Sequence, residues 1–217
     1  MKRFSLVVVA LLLNACSSVS SSTTQETITD DITQPVIENL VPPEDSIIIE
    51  WAADNMDRGQ YDYYFGEKML VVDPNDSELE RGDVIYFHTP EFEYEFDVQD
   101  NSLARVVGLP GETIEIKEGH VFIDDKKFIS FYSQALNRGL TGEEYFEEVD
   151  PSTRINDESW KEYFATTMKA VEVPDNTVFV LGDNWWRSVD SREFGPVPED
   201  VIIGKVLGYE KKAVSTP

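Results

Sequence analysis

Apolar positions in this chain fall in short runs rich in β-branched residues, broken by turn residues every few positions. Ile47-Ile48-Ile49-Glu50-Trp51 is one such run. Residues 68–73 (KMLVVD) form another, stopped by Pro74-Asn75. Arg81-Gly82-Asp83 reads as a turn feeding a strand over residues 84–88. Further strands are predicted over 103–107, 113–117, 121–123, 171–173, 177–181 and 201–209. Glu118-Gly119, between two of these, carries a hairpin signal. Short strands with frequent turns predict a β-rich domain with a twisted antiparallel core.

Two stretches depart from this pattern. Residues 130–170 are polar and aromatic, with weak helical spacing around Glu143–Phe146 and Glu158–Met168. They read as a small, partly helical insertion between two halves of the β core. Residues 16–45 are rich in Ser and Thr, then acidic, and contain Pro35, Pro42 and Pro43. With little hydrophobic periodicity, they read as a flexible tether, and order is expected to begin near Ser46. The folded domain is thus expected over 46–217.

The extreme N-terminus reads as an export signal. Lys2 and Arg3 precede a run from Phe4 to Leu13 that is apolar apart from Ser5. A spanning helix needs roughly 20 apolar residues, so this run is too short to cross a bilayer. Leu13-Asn14-Ala15-Cys16 follows, and Cys16 is the single cysteine of the chain. The segment resembles the lipobox of bacterial lipoproteins. That resemblance implies cleavage after residue 15, diacylglyceryl attachment at Cys16, and residence outside the cytoplasm, on the outer face of the cytoplasmic membrane. The alternative is an ordinary cleaved signal with an incidental cysteine. Palmitate-analogue labelling should tag the wild-type chain and leave Cys16→Ser unlabelled.

Composition narrows the function classes. Forty-two acidic residues against 18 basic ones give a formal charge of -24. Such a chain would repel phosphates, so nucleic acid is not an expected partner. The excess charge reads first as solubility outside the cell and second as an acidic docking face. One cysteine permits no internal disulfide, and the two histidines, His88 and His120, fall in no metal-ligand spacing. No cofactor and no metal are expected, and the oligomeric state is left open.

Three segments carry a family signature. The first is Arg81-Gly82-Asp83-Val84-Ile85-Tyr86-Phe87. The second is Arg105-Val106-Val107-Gly108-Leu109-Pro110-Gly111-Glu112. The third is Gly182-Asp183-Asn184-Trp185-Trp186-Arg187-Ser188-Val189-Asp190-Ser191-Arg192, followed by Gly195-Pro196-Val197 and Gly204-Lys205. Together they resemble the boxes of type I signal peptidase, a serine-lysine peptidase family. The resemblance implies the β-rich signal peptidase fold. It also implies a shallow groove in which an extended substrate pairs with strand edges.

In that family a serine attacks the peptide bond and a lysine, its pKa lowered by burial, serves as general base. The residue before Arg105 is Ala104, where the lysine would stand. The counterpart of the family's Ser-Met pair is Asn55-Met56, and the upstream oxyanion serine corresponds to Ala53. A methyl group accepts no proton, and an amide is no nucleophile of this type. Ser46, Ser77 or Ser102 with Lys68 or Lys117 are the candidates for a relocated dyad. Ser188, Asp190 and Arg192 support the site in the family. Without the lysine, Asp183, Asp190 and Arg192 read as a buried or semi-buried polar network holding the β core together. Trp185 and Trp186 read equally as core or as an exposed aromatic patch.

The groove is expected at Ala53 and Asp54 on one side and Asn101, Ser102 and Leu103 on the other. Pairing by β-augmentation needs only backbone groups and survives loss of the dyad. The expected function is therefore a catalytically inactive, lipid-anchored protein that binds extended peptides or assists exported proteins. One alternative is an active signal peptidase with a non-standard or relocated nucleophile. A second is a regulator of an active peptidase.

Overall fold

A computed structural model describes residues 25–60, 62–63, 68–93, 99–154 and 156–211. Cys16 and the export signal lie outside the described residues. Thirteen strands are described: β1 (Thr27–Thr29), β2 (Asn39–Leu40), β3 (Ile47–Ile49), β4 (Leu70–Asp73), β5 (Val84–His88), β6 (Asn101–Gly108), β7 (Thr113–Lys117), β8 (His120–Ile123), β9 (Lys126–Ile129), β10 (Met168–Glu172), β11 (Thr177–Leu181), β12 (Val197–Pro198) and β13 (Ile202–Glu210). Three short helices join them: α1 (Gly142–Glu148), α2 (Asp157–Phe164) and α3 (Ser191–Phe194). The fold is β-rich, as the sequence pattern predicts.

The strands form two sheets. One runs β12-β11-β6-β5-β13-β4-β3, with β2 also paired to β13. The other runs β1-β9-β8-β7-β10. The strand pairs are antiparallel except β1–β9 and β2–β13. Both exceptions belong to the N-terminal segment.

Central strand β6 is buried along almost its whole length. Its side chains alternate between faces, as strand geometry requires. Leu103 packs with Trp51, Met56, Leu70 and Val84. Ala104 and Val106 pack on the other face with Ile85, Phe87, Val178 and Val180. Val107 joins Ile114, Ile116, Phe128 and Phe179 in the cluster beneath the second sheet.

Two tight turns build that second sheet. Glu118 and Gly119 both have positive φ (47° and 73°), the backbone that an inward-twisting two-residue hairpin needs. A Cβ on Gly119 would lie 2.1 Å from the Phe164 carbonyl oxygen, so the insertion packs directly on this turn. Asp124 and Asp125 repeat the left-handed pair (49° and 64°) and add β9, which the hydrophobic pattern does not predict.

Order does not begin at Ser46: residues 25–45, expected to belong to a flexible tether, lie along the domain. β1 pairs with β9, and β2 pairs with β13 at Tyr209 and Glu210. The Asp30 carboxylate accepts from the backbone of Ile32 and Thr33, the Thr33 hydroxyl and, at 2.5 Å, the Tyr132 hydroxyl. Arg58 donates to the Pro35 carbonyl at 2.5 Å. Backbone pairing and one acidic hub hold the strap, so polar composition did not forecast it.

Burial pushes the Asp30 carboxyl up, but its hydrogen bonds from Thr33, Tyr132 and Ile32 outweigh that. The net result lies below the usual aspartate value of 3.8. An acid depressed in the folded state stabilises it fully above 3.8, and the contribution is lost as pH falls through the lower, folded value. Asp30→Ala should cost about 1–3 kcal/mol by stranding its donors. Urea denaturation measures the loss, and limited proteolysis should then cut within residues 25–45.

The insertion is held by aromatic stacking and by caps. Thr141 and Glu144 form a reciprocal capping box at the start of α1. Trp160 of α2 lies 5.0 Å from the Tyr145 ring and 4.7 Å from Trp186, which joins the insertion to the Gly182–Arg192 segment.

Candidate functional site

The loop carrying Asn55 lies between two pieces of the core. Met56 is fully buried beside Leu103 and anchors the loop from below. Asn55 itself is 9% exposed. Its Nδ2 donates to the Leu103 carbonyl at 2.6 Å, and its Oδ1 accepts from Trp51 Nε1 at 3.0 Å. Its backbone carbonyl accepts from Asn184 N at 2.9 Å. The Ser188 hydroxyl lies 3.0 Å from the same oxygen and 2.8 Å from the Asn184 carbonyl, so its one proton is shared between two acceptors. Asn55 is a fixed pin between the loop and β6.

Gly182 is required for this approach. A Cβ there would sit 1.7 Å from Ser188 Oγ and 2.7 Å from the Asn55 carbonyl oxygen. Any side chain at 182 would push the two segments apart.

Ala104 faces away from that pin. Its methyl, 3% exposed, packs in the cluster of Ile85, Phe87, Val106, Val178, Val180 and Val197. No hydrogen bond joins a serine hydroxyl to a lysine amine among the described residues. Ser102 Oγ pairs with Thr89 Oγ1 at 2.8 Å. Lys205 lies against Asp76 and Asp83, Lys117 against Glu115, and Lys68 over the Tyr209 ring.

The residues of the third motif interlock. The buried Asp190 carboxylate accepts from Gly182 N at 3.0 Å and from Arg192 Nε at 2.8 Å. It also caps α3. Arg192 reaches on to the Trp185 carbonyl at 2.9 Å. Burial raises the Glu193 carboxyl above its ordinary value, with the neighbouring Asp190 adding to the rise. Asp183 holds Arg105 through two bonds of 2.7 and 2.6 Å, and Arg58 Nε stands 3.4 Å from it. Burial opposes the Arg105 charge, but Asp183 more than offsets it, leaving the guanidinium firmly protonated. Phe131 and Tyr132, themselves in edge contact at 5.0 Å, both lie beside that guanidinium, each centroid 5.1 Å away.

The expected groove residues separate by role. Val106 exchanges backbone bonds with Gly82 and Asp83 on the β5 side. By alternation, the backbone groups of Leu103 and Asn101 point to the opposite edge. β11 pairs with β6 only from Arg105 onward, and among the described residues no strand pairs with that edge at 101–103. The Leu103 carbonyl there is taken by Asn55. The Asn101 side chain meets His88 Nδ1 at 2.8 Å. Across the groove, Ala53 is half-buried, and Asp54 pairs with Arg187 at 2.9 Å.

Sequence reasoning left Trp185 and Trp186 undecided, and the structure divides them. Trp185 is buried, and Trp186 is 49% exposed. It also missed a cavity of about 490 Å³ beside Asp54. The cavity combines residues from three distant segments, so no local spacing signals it. No group of three or more His, Cys, Asp or Glu side chains that could hold a metal occurs among the described residues. No helix among them is long and apolar enough to cross a membrane.

The profile of the family described as signal peptidase, peptidase S26, matches residues 4–209. A signal peptidase I of Bacillus caldolyticus is 35% identical over 133 residues, covering 59% of this chain and 59% of its own length. A probable signal peptidase I-1 of Synechocystis is 35% identical over 128 residues, covering 58% of this chain and 52% of its own. Signal peptidase IB of Staphylococcus aureus is 31% identical over 143 residues, covering 65% and 66%. The chain thus spans between half and two thirds of the length of these relatives. A crystal structure of a signal peptidase I from Enterococcus faecalis aligns with a TM-score of 0.41 at 25% identity, over 59% of this chain and 96% of that one.

Proposed function

The chain belongs to the signal peptidase family, peptidase S26, and we propose that it is a member that keeps the peptide groove without the hydrolytic pair. The observation that carries this reading is Asn55. It stands where the family motif places the nucleophile, and its amide is bonded on both sides, to Leu103 and to Trp51. Ala104 supplies no base, and its methyl sits in an apolar cluster.

What remains is a binding surface. The β6 edge around Asn101, just ahead of the Leu103 carbonyl that Asn55 takes, is where an added strand would pair, and recognition of this kind uses main-chain bonds. The partner class is therefore an extended segment of a peptide or of an exported protein. Lipid attachment at Cys16 would hold the domain at the outer face of the cytoplasmic membrane, where such segments emerge. Two acyl chains make a lasting anchor where one does not. The test is incubation with a preprotein substrate and mass spectrometry of the products. An intact substrate is expected, and specific cleavage would overturn the reading.

A further inference from the structure

The cavity beside Asp54 adjoins the groove without belonging to the motif residues. Its apolar floor is Leu140, Tyr145, Val149 and Trp160, and Trp186 stands over it as a half-exposed wall. A volume of about 490 Å³ falls within the usual range for small-ligand sites. Two links tie it to the groove. Asp54 lines it directly, and Asn184, another lining residue, donates its amide to the Asp54 carbonyl at 3.1 Å. Asn55, the next residue along, takes the Leu103 carbonyl on the β6 edge that β11 does not pair. A chain paired at Asn101 and running past Asn55 would therefore meet this cavity within a few residues.

The charged lining groups are mostly committed. Asp54 is paired with Arg187. Asp57 accepts from the backbone N–H groups of Gly59 and Asp62. Arg138, on the rim, makes no side-chain ion pair or hydrogen bond among the described residues. The uncommitted lining is thus aromatic and aliphatic, with the unpaired Arg138 among it. A lysine or arginine side chain would meet Arg138 and Arg187 alongside Asp54 and Asp57, a balance of charge that gives it no net attraction. A small side chain would leave the floor wet. An aromatic ring would stack on the exposed Trp186 face and accept the Arg138 cation on its own.

We infer that the cavity is a side-chain subsite for an aromatic residue of the extended peptide that the groove binds. The inference rests on the proposed groove reading and adds a specificity to it. Trp186 and Arg138 select the residue, and Asn55 and β6 hold the backbone.

Fluorescein-labelled peptides of one β-forming host sequence, with Phe, Ala or Lys moved through each position, test it by anisotropy. One register should favour Phe over Ala by about tenfold or more, as burial of an aromatic side chain predicts. Trp186→Ala should erase that preference while the Ala peptide still binds. Arg138→Ala should reduce it. Trp186 is half-exposed, so its variant should fold, and circular dichroism checks this. A preference for Lys, or no preference at any position, overturns the inference. N-acetylphenylalanine amide, titrated while the Trp186 indole N–H is followed by NMR, separates the two claims. If it shifts that signal and the alanine analogue does not, the subsite stands even where no peptide binds the groove. If neither shifts it, the subsite is refuted.

Discussion

Asp183→Ala is expected to cost about 3–5 kcal/mol of folding stability, the usual loss when one partner of a buried ion pair is removed. The side chains of Arg105 and Asp183 are 3% and 1% exposed. Removing the carboxylate leaves Arg105 beside two aromatic rings, with the Gly82 carbonyl and the Tyr63 hydroxyl in place of an anionic partner. Arg58 loses its 3.4 Å partner too, though it keeps Asp62. Small domains have about 5–15 kcal/mol in all, so the variant should sit near the edge of folding. Asp183→Asn keeps an oxygen acceptor without the charge and should lose less. Urea denaturation of the three chains measures this. A loss under about 1 kcal/mol for Asp183→Ala would mean that the pair is not the closed lock the geometry describes.

The strands were legible because each alternating or fully apolar run has one physical solution. Residues 84–88 and 177–181 are such runs, and both became strands with the expected bounds. β9 was not legible, because its register depends on two aspartates taking a left-handed conformation, which side-chain pattern does not reveal. The strap at 25–45 was hidden for a related reason. Its contacts are backbone ladders and the Asp30 hub, and Tyr132, which completes that hub, lies 102 residues away. At the site, the motif around Arg105 is contiguous, so the proposed place of Ala104 follows from the sequence alone. What Asn55 does with its amide could not be read. That depends on Leu103 and Trp51, and only the folded chain brings all three together. The aromatic cavity draws on residues near 54, 138–160 and 184–187, separations at which sequence carries no local signal.

A soluble chain beginning at Gln25 is expected to leave a signal-peptide substrate intact over hours. The start point matters, because beginning at Ser46 would remove the strap that pairs with β9 and β13. Hydrolysis in this fold needs a nucleophile, a base and an oxyanion donor. On the motif alignment proposed above, Asn55, Ala104 and Ala53 take the corresponding positions. Nucleophile and base act as a unit, so losing one typically costs roughly 10⁴–10⁶-fold in rate, and losing the second adds little. The Asn55 amide has no freedom to substitute, because both its ends are bonded in a nearly closed environment. Lys205 is held by two aspartates, and Lys117 by Glu115. If the substrate is nevertheless cut at one site, two variants locate the chemistry. Loss of cutting in Asn55→Ala would make the amide or its hydrogen bonds part of the reaction. Unchanged cutting in both Asn55→Ala and Ala104→Gly would place a relocated pair elsewhere on the domain, with Ser46, Ser77 and Ser102 the next hydroxyls to remove.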